Sequence, residues 1–187
     1  MKTYIDIGTN SMGGFNILSK ELNIDDIAWH KIFIEPNPEC HEEIEKHIQN
    51  YKNVKFYKAA ASNKNGKIEL ITRNDMKGDS AATLLGLKFI TDSIGSVNQK
   101  IPAYNKYIVD EIDFNDILDS VDSDEIYIKM DCEGKEYDIL NNINEKHFIK
   151  IKKLYVEFHA HDEDMRNERD KIISEYYKRN IIILNWE

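Results

Sequence analysis

The segment that most constrains this chain is residues 125–134, EIYIKMDCEG, which has the pattern of a strand and ends at a glycine before a helical pattern. Side chains on a strand alternate between its two faces. The apolar face would carry Ile126, Ile128, Met130 and Cys132, and the polar face Tyr127, Lys129, Asp131 and Glu133. Charges are costly on a strand that is buried on both faces. Either they pair with one another, or they lie at the carboxyl end of the strand, where open α/β sheets bind ligands. The glycine directly after Glu133 favours the second interpretation.

The rest of the chain alternates strand patterns with helix patterns. Strands are predicted at 3–7, 31–35, 54–60, 153–158 and 180–186, with helical runs between most of them. This alternation predicts an α/β fold: a three-layer sandwich with a mainly parallel sheet, in a single domain over residues 1–187. A turn at 63–66 leads into KIELIT, and 74–107 lacks a regular pattern. The turn predicts a hairpin or an antiparallel addition to a sheet, and we expect a hairpin or lid insertion around residues 62–108.

Composition excludes several classes of partner. The chain carries 25 basic and 34 acidic side chains, for a net charge of -9, which disfavours binding to a nucleic-acid backbone. No apolar run approaches the length needed to cross a membrane. Cys40 and Cys132 lack a metal-type spacing and are interpreted as reduced thiols. We therefore predict a cytoplasmic protein without nucleic-acid or membrane partners.

Two features after the first two strands indicate a nucleotide-like ligand. The first strand leads into DIGTNSMGGF, and a glycine-rich turn between strand and helix lets the backbone approach such a ligand closely. The turn matches neither GxGxxG nor GK[ST], and a plain tight turn is the alternative. Glu35 ends the second strand, where an acid can accept the hydroxyl groups of an adenosine ribose. Alternatively, Glu35 interacts with the dipole of the following helix.

A second polar strand face occurs downstream, in residues 154–161, LYVEFHAH. Alternation would place Tyr155, Glu157, His159 and His161 on one face. If this strand neighbours the 125–134 strand, the two polar faces meet at the carboxyl edge of the sheet. Such a cluster could hold a general base or a metal ion. The alternative is a structural network in which Lys129 pairs with Glu157 or Asp131.

Taken in order, these segments resemble the FkbM-type S-adenosylmethionine-dependent methyltransferases. IDIGTN resembles the first cofactor motif of that family, IFIEPNPE its acidic second-strand motif, and FYKAAASNKNGKIEL the third-strand segment beside the adenine. DSAATL is similar to the small-residue stretch that follows. IKMDCEGKEYDIL resembles the Lys-x-Asp-x-Glu-Gly-x-Glu signature, and LYVEFH the downstream Glu-x-His strand.

The resemblance implies a Rossmann-like class I methyltransferase that transfers a methyl group from S-adenosyl-L-methionine to an acceptor oxygen. The acceptor is expected to be a hydroxyl of a small molecule or glycan. In this family Gly8, Asn10 and the turn backbone would hold the methionine part of the cofactor, Glu35 would hold the ribose, and Ala60 and Ala61 would border the adenine. The other implied cofactor-binding residues are Asp6, Thr9, Gly13 and Pro36. Asp131 and His159 are the candidates for orienting or deprotonating the acceptor. Lys129, Glu133 and Glu157 would supply supporting charges. No metal ligand is assigned, because the spacing of these residues does not require one.

This chain departs from the family pattern in the glycine turn, where Ser11 and Met12 follow Asn10 and Gly13 comes one position late. Two other functions compete with methyl transfer. An NAD-dependent oxidoreductase is disfavoured by the glycine spacing and by the Glu-Pro pair after the second strand. A catalytically inactive methyltransferase-like binding module is disfavoured by the retained charges of Glu35, Asp131, Glu133 and His159.

Overall fold

The computed structural model describes residues 1–25, 27–73 and 104–186. In chain order its elements are β1 (Lys2–Ile7), α1 (Gly13–Glu21), β2 (Trp29–Ile34), α2 (His41–Ile48), β3 (Val54–Tyr57), β4 (Ala59–Ser62), β5 (Gly66–Arg73), β6 (Tyr104–Asp113), α3 (Phe114–Asp119), β7 (Glu125–Met130), α4 (Glu136–Leu140), a 3₁₀ turn (Glu145–His147), β8 (Ile151–Val156), α5 (Glu163–Lys178) and β9 (Ile182–Asn185). The predicted α/β fold with a mainly parallel sheet is confirmed.

The main sheet has six strands in the order β3-β2-β1-β7-β8-β9, and every neighbouring pair is parallel. β1 is therefore flanked by β2 on one side and by the signature strand β7 on the other. Asp6 of β1 lies directly opposite Lys129 of β7. β7 and β8 are neighbours, so the polar segments at their carboxyl ends lie side by side. The carboxyl ends of β2, β1, β7 and β8 thus form one continuous edge.

Strand alternation separates two hydrophobic cores, one on each face of the main sheet. Ile5 and Ile7 of β1 face the core shared with α3, α4 and α5. Tyr4 faces the opposite core, where Phe15 of α1 packs edge-on against Phe33 of β2 with 5.1 Å between ring centroids. Burial of each such side chain contributes about 1.5–3 kcal/mol. The layers on either side of the sheet hold the ends of β1 and β7 in a fixed relation.

Two helices begin at aspartates that cap their first turns. The Asp113 side chain accepts a hydrogen bond from the Asn115 amide at the start of α3, and Asp162 accepts one from the Met165 amide at the start of α5. α5 is charged along its length and packs beside β9. In the described ranges, no helix is long and apolar enough to cross a membrane.

The segment after β3 forms a second sheet, with the strand order β4-β6-β5. The single strand predicted at 54–60 is in fact two strands in different sheets. The turn at 63–66 leads into β5, which pairs antiparallel with β6 rather than with β4. Of the two predicted alternatives, the antiparallel addition is therefore confirmed and the hairpin was wrong.

β6 begins at Tyr104, inside the segment that was predicted to be a loop. Its charged residues obscured the strand pattern, and the structure pairs them across the sheet. Lys67 Nζ lies 2.7 Å from Asp110 Oδ1, and Lys106 Nζ lies 2.8 Å from Glu69 Oε1. The remainder of the predicted lid, residues 74–103, lies outside the described residues and includes the DSAATL segment.

Candidate active site

A cleft opens where β1, β2 and β7 end, with about 570 Å³ of space between protein atoms, its open mouth included. Its lining consists of Ile7, Gly8, Asn10, Ile34, Glu35, Pro36, Asn37, Cys40, Ala60, Ala61, Leu70, Asp131, Cys132 and Glu133. The structure therefore brings together eight of the fourteen predicted site residues, from four separate segments. Such a cleft has the size and the mixture of apolar walls and few polar groups that small-molecule sites usually show.

The glycine turn packs directly against the end of β7. Gly8 has a φ of 71°, and a β-carbon at this position would overlap the carbonyl oxygen of Asp131. The Asp131 amide in turn donates to the Ile7 carbonyl at 3.0 Å. Asn10 and Met12 also have positive φ values, of 46° and 66°, and Met12 is fully buried. The turn thus brings its backbone to the cleft while the Met12 side chain enters the core.

Two predicted cofactor residues of this turn do not line the cleft. Thr9 is buried, and its hydroxyl donates to the Asp6 carbonyl at 3.1 Å and accepts from the Ile34 amide at 3.2 Å. This hydroxyl therefore joins the ends of β1 and β2. Gly13 starts α1, and a β-carbon there would have nothing within 4 Å. A cofactor role for either residue stays a prediction.

Glu35 lies in the cleft wall, only 5% exposed. Its Oε2 accepts a hydrogen bond from the Asn10 amide and its Oε1 one from the Asn37 amide, both at 2.8 Å. Burial raises the pKa of this carboxyl to about 7, although the two amide hydrogen bonds oppose the shift. A carboxylate has about four acceptor positions, so two remain for a ligand. Glu35 can therefore accept two hydroxyl hydrogens at a fixed place beside the glycine turn.

Lys129 lies beneath the glycine turn rather than in the cleft lining. Its Nζ donates to the Gly8 carbonyl at 2.7 Å, and lies 3.5 Å from Asp6 Oδ1 and 3.6 Å from Asp131 Oδ2. The Tyr4 hydroxyl donates to the other Asp6 oxygen at 3.0 Å. Burial alone would lower the pKa of Lys129, but Asp6 and Asp131 outweigh it, so the pKa rises and the ammonium stays charged. Lys129 thus pairs with Asp131, which is one of the two partners predicted for it in a structural network.

His159 lies at the centre of a polar cluster at the ends of β7 and β8. Its Nδ1 is 3.0 Å from Glu136 Oε1, and its Nε2 is 3.5 Å from Glu133 Oε2 and 3.8 Å from Glu157 Oε1. Asp131, Glu133 and His159 each offer a potential metal ligand atom, and these atoms lie within 4.8 Å of one another. Because Asp131 and Glu133 also line the cleft, the cluster borders it directly.

The electrostatics of the cluster are dominated by its carboxylates. Burial by itself lowers the pKa of His159, but its hydrogen bond to Glu136 and the charges of Glu136 and Glu133 raise it to about 9. Burial raises the pKa of Glu133 to about 7 and also raises that of Glu157. At neutral pH the imidazole is therefore a hydrogen-bond donor rather than a base.

Glu136 is the site residue that sequence reasoning missed. It is fully buried, and its Oε1 accepts from the Cys132 amide at 2.9 Å while contacting His159. The sequence shows it as the last acid of the Lys-x-Asp-x-Glu-Gly-x-Glu pattern, which was the available signal. At the start of a helix, an acid is ordinarily explained by the helix dipole.

Strand alternation also misplaced part of the downstream segment. β8 ends at Val156, so the alternating pattern does not extend to His159 and His161. The Tyr155 hydroxyl instead donates to Glu21 Oε1 at 2.7 Å, on the α1 side of the sheet. Tyr155 is therefore separate from the His159 cluster, and the prediction that the two residues share one face was wrong.

The order of these elements and the position of the signature agree with a known protein family. The chain matches the family described as the methyltransferase FkbM domain over residues 6–179. It belongs to the FkbM methyltransferase family. The FkbM match includes every residue of the glycine turn, the Glu35 segment and the His159 cluster.

A solved structure supports the same fold assignment. The crystal structure of methyltransferase FkbM from Methylobacillus flagellatus KT is similar, with a TM-score of 0.56 and 14% sequence identity. The similarity covers 93% of this chain and 38% of that one, so this FkbM chain spans well under half the length of its structural neighbour. Comparison with curated proteins gives no match. At this identity, the structural likeness concerns the fold.

Proposed function

We propose that this chain transfers a methyl group from S-adenosyl-L-methionine to a hydroxyl oxygen of a sugar or other small metabolite. The observation that carries the proposal is the position of the Glu35 carboxylate. It is buried in the wall of a cleft, held by the amides of Asn10 and Asn37, directly beside the glycine turn. A carboxylate at the end of the second strand is where a Rossmann-like site accepts ribose hydroxyl groups.

The remainder of the cleft fits the other parts of this cofactor. Ala60 and Ala61 are buried small residues that leave room for a flat adenine ring, with Leu70 beside them. The backbone around Gly8 and Asn10 offers polar groups to the methionine part. When bound, S-adenosyl-L-methionine supplies an electrophilic methyl group on a sulfonium. Asp6 would support the glycine turn indirectly, through its pairing with Lys129. Pro36 would contact the cofactor from the cleft wall beside Glu35.

The residues near Asp131 suit the acceptor side of the reaction. Methyl transfer is an in-line displacement, so positioning the acceptor oxygen provides much of the rate enhancement. The hydroxyl must also lose its proton to a nearby group. We assign proton removal to the Asp131 carboxylate and orientation of the oxygen to His159, because the raised pKa of His159 keeps its imidazole protonated. Lys129, Glu133 and Glu157 set the charge around these two residues.

Calorimetric titration with S-adenosylhomocysteine, with NAD⁺ as the control ligand, tests the cofactor assignment. We expect micromolar one-to-one binding of the former alone. Glu35→Ala should weaken this binding at least tenfold, whereas Glu43→Ala, an exposed acid on α2, should not change it. Binding of NAD⁺ alone would identify an oxidoreductase, and binding of neither ligand would contradict the proposal.

A second experiment separates catalysis from binding. The full chain is incubated with methyl-labelled cofactor and a panel of hydroxylated acceptors. Asp131→Asn should spare binding of S-adenosylhomocysteine and abolish transfer of the label. Cofactor binding without any transfer would favour a binding module, and a fully active Asp131→Asn variant would remove Asp131 from the proton-transfer role.

A further inference from the structure

The His159 cluster has the geometry of an incomplete coordination shell. Asp131 directly follows β7, Glu133 lies in the next turn with a φ of 54°, and His159 comes from the segment after β8. Two carboxylate oxygens and one imidazole nitrogen thereby converge within 4.8 Å. In an octahedral site with bonds of about 2.1 Å, adjacent ligand atoms are roughly 3 Å apart and opposite ones roughly 4.2 Å apart. A modest inward movement of these side chains would bring all three atoms onto one ion.

A second observation is the fully buried Glu136 behind the histidine. Its Oε1 lies 3.0 Å from His159 Nδ1, and its Oε2 is a buried oxygen without a hydrogen-bond partner among the described residues. Histidines that bind metals usually donate their other ring N–H to a carboxylate in this manner. The contact with Glu136 commits Nδ1 and leaves Nε2 as the atom that faces Glu133 and Glu157.

The charge of the cluster is also unbalanced. Four carboxylates surround one imidazole, and they belong to Asp131, Glu133, Glu136 and Glu157. Lys129 contacts Asp131 at 3.6 Å, but it is shared with the fully buried Asp6. Buried carboxylates are normally paired with cations or coordinate metal ions. Further positive charge at this place would therefore be favourable.

We propose that Asp131, Glu133 and His159 bind one divalent cation of the Mg²⁺ or Mn²⁺ type at the border of the cleft. Carboxylates suit both ions, and the imidazole shifts the preference towards Mn²⁺. Glu136 acts as the positioning residue for His159. If the proposed methyl transfer is right, this cation replaces the imidazole proton of His159 as the group that orients the acceptor hydroxyl, and it lowers the pKa of that hydroxyl. That last step rests on the proposed function, whereas cation binding does not.

A metal ligand must be a neutral imidazole, so Mn²⁺ binding releases the proton that His159 holds without the ion. The experiment is a titration of the EDTA-treated full chain with Mn²⁺ at pH 8, where this release costs less than at pH 7. Free Mn²⁺ is followed by its electron paramagnetic resonance signal. We expect one-to-one saturable binding, displaced by excess Mg²⁺ and weakened at least tenfold in both Glu133→Gln and His159→Gln. His47→Gln, which removes an exposed imidazole of α2, should bind like the wild type.

Absence of saturable Mn²⁺ binding by the wild-type chain overturns the proposal without reference to any variant. Unchanged binding in both variants, with folding checked by circular dichroism, overturns the assignment of the ligands. A parallel titration with S-adenosylhomocysteine separates the two proposals. If the chain binds S-adenosylhomocysteine but not Mn²⁺, the cofactor assignment stands and the cation site is overturned. If it binds Mn²⁺ but not S-adenosylhomocysteine, the cation site stands and the cofactor assignment is overturned.

Discussion

The carbonyl oxygen of Asp131 occupies the place that a β-carbon on Gly8 would need. The same two segments are also joined by Lys129, whose ammonium contacts the Gly8 carbonyl and the Asp131 side chain. The glycine turn in the cleft wall therefore packs against the end of β7, next to Asp131. Because Gly8 meets the backbone of Asp131, a side chain added at Gly8 should affect both sides of the proposed site.

Gly8→Ala should destabilise the fold and abolish binding of S-adenosylhomocysteine. The added methyl group meets backbone, which cannot move like a side chain, and the φ of 71° is unfavourable for alanine. We expect a loss of about 2–4 kcal/mol in the free energy of unfolding, measured by urea denaturation. Gly13→Ala is the matched control for stability, because a β-carbon there meets nothing within 4 Å and alanine favours a helix. Equal effects of the two substitutions would contradict this account.

The affinity for S-adenosylhomocysteine should increase between pH 6 and pH 8. Burial raises the pKa of Glu35 to about 7, so the carboxyl is mostly protonated at pH 6 and ionised at pH 8. Only the ionised form can accept two ribose hydroxyl hydrogens while keeping both amide hydrogen bonds. One such group predicts a change of about tenfold over this range. Calorimetry at pH 6, 7 and 8 measures it.

The control for this pH dependence is Glu35→Gln, which lacks the titrating group. It should bind weakly, with an affinity that changes little over the same range. A wild-type affinity that is independent of pH would show that the ionisation of Glu35 is not required for binding. A pH dependence retained in Glu35→Gln would assign the effect to another group.

The sequence could predict the layers of the fold because they follow from local periodicity. Ile126, Ile128 and Met130 alternate in β7, and all three are fully buried on one face of the sheet. β6 was missed because the charges of Lys106 and Asp110 interrupt the apolar pattern. They pair with Glu69 and Lys67 on the neighbouring strand β5, and no local sequence pattern contains a contact between distant segments.

The site could be predicted where a residue directly follows a strand, as Glu35 follows β2 and Asp131 follows β7. Contacts between distant segments could not be predicted in this way. Glu136 meets His159, 23 positions later, through a segment that follows the end of β8. Leu70 reaches the cleft from the second sheet. Neither contact has a signature within its own segment.

Tyr107→Phe should loosen the connection between the second sheet and the cleft. The Tyr107 hydroxyl donates to Glu39 Oε1 at 2.7 Å, and Asn105 donates to the same oxygen at 3.1 Å. Glu39 lies two residues after Asn37, whose amide holds the Glu35 carboxylate. Removing one exposed hydrogen bond should cost about 0.5 kcal/mol of unfolding free energy. Urea denaturation measures it, and Tyr177→Phe, on the exposed face of α5, should have no effect. A loss of equal size in both variants would contradict the role of the Glu39 contact.

Lys129→Met should cost about 3–5 kcal/mol of unfolding free energy, because it leaves the buried Asp6 carboxylate and Asp131 without their cation. Adding Asp6→Asn should recover part of this loss of unfolding free energy, since it removes one of the two carboxylates left without a cation. A double-mutant cycle with urea denaturation at pH 7 measures this coupling. Lys46→Met, which breaks an exposed ion pair on α2, should change little. If Lys129→Met instead kept the stability of the wild type and lost only methyl transfer, Lys129 would act in catalysis rather than in holding the glycine turn to β7.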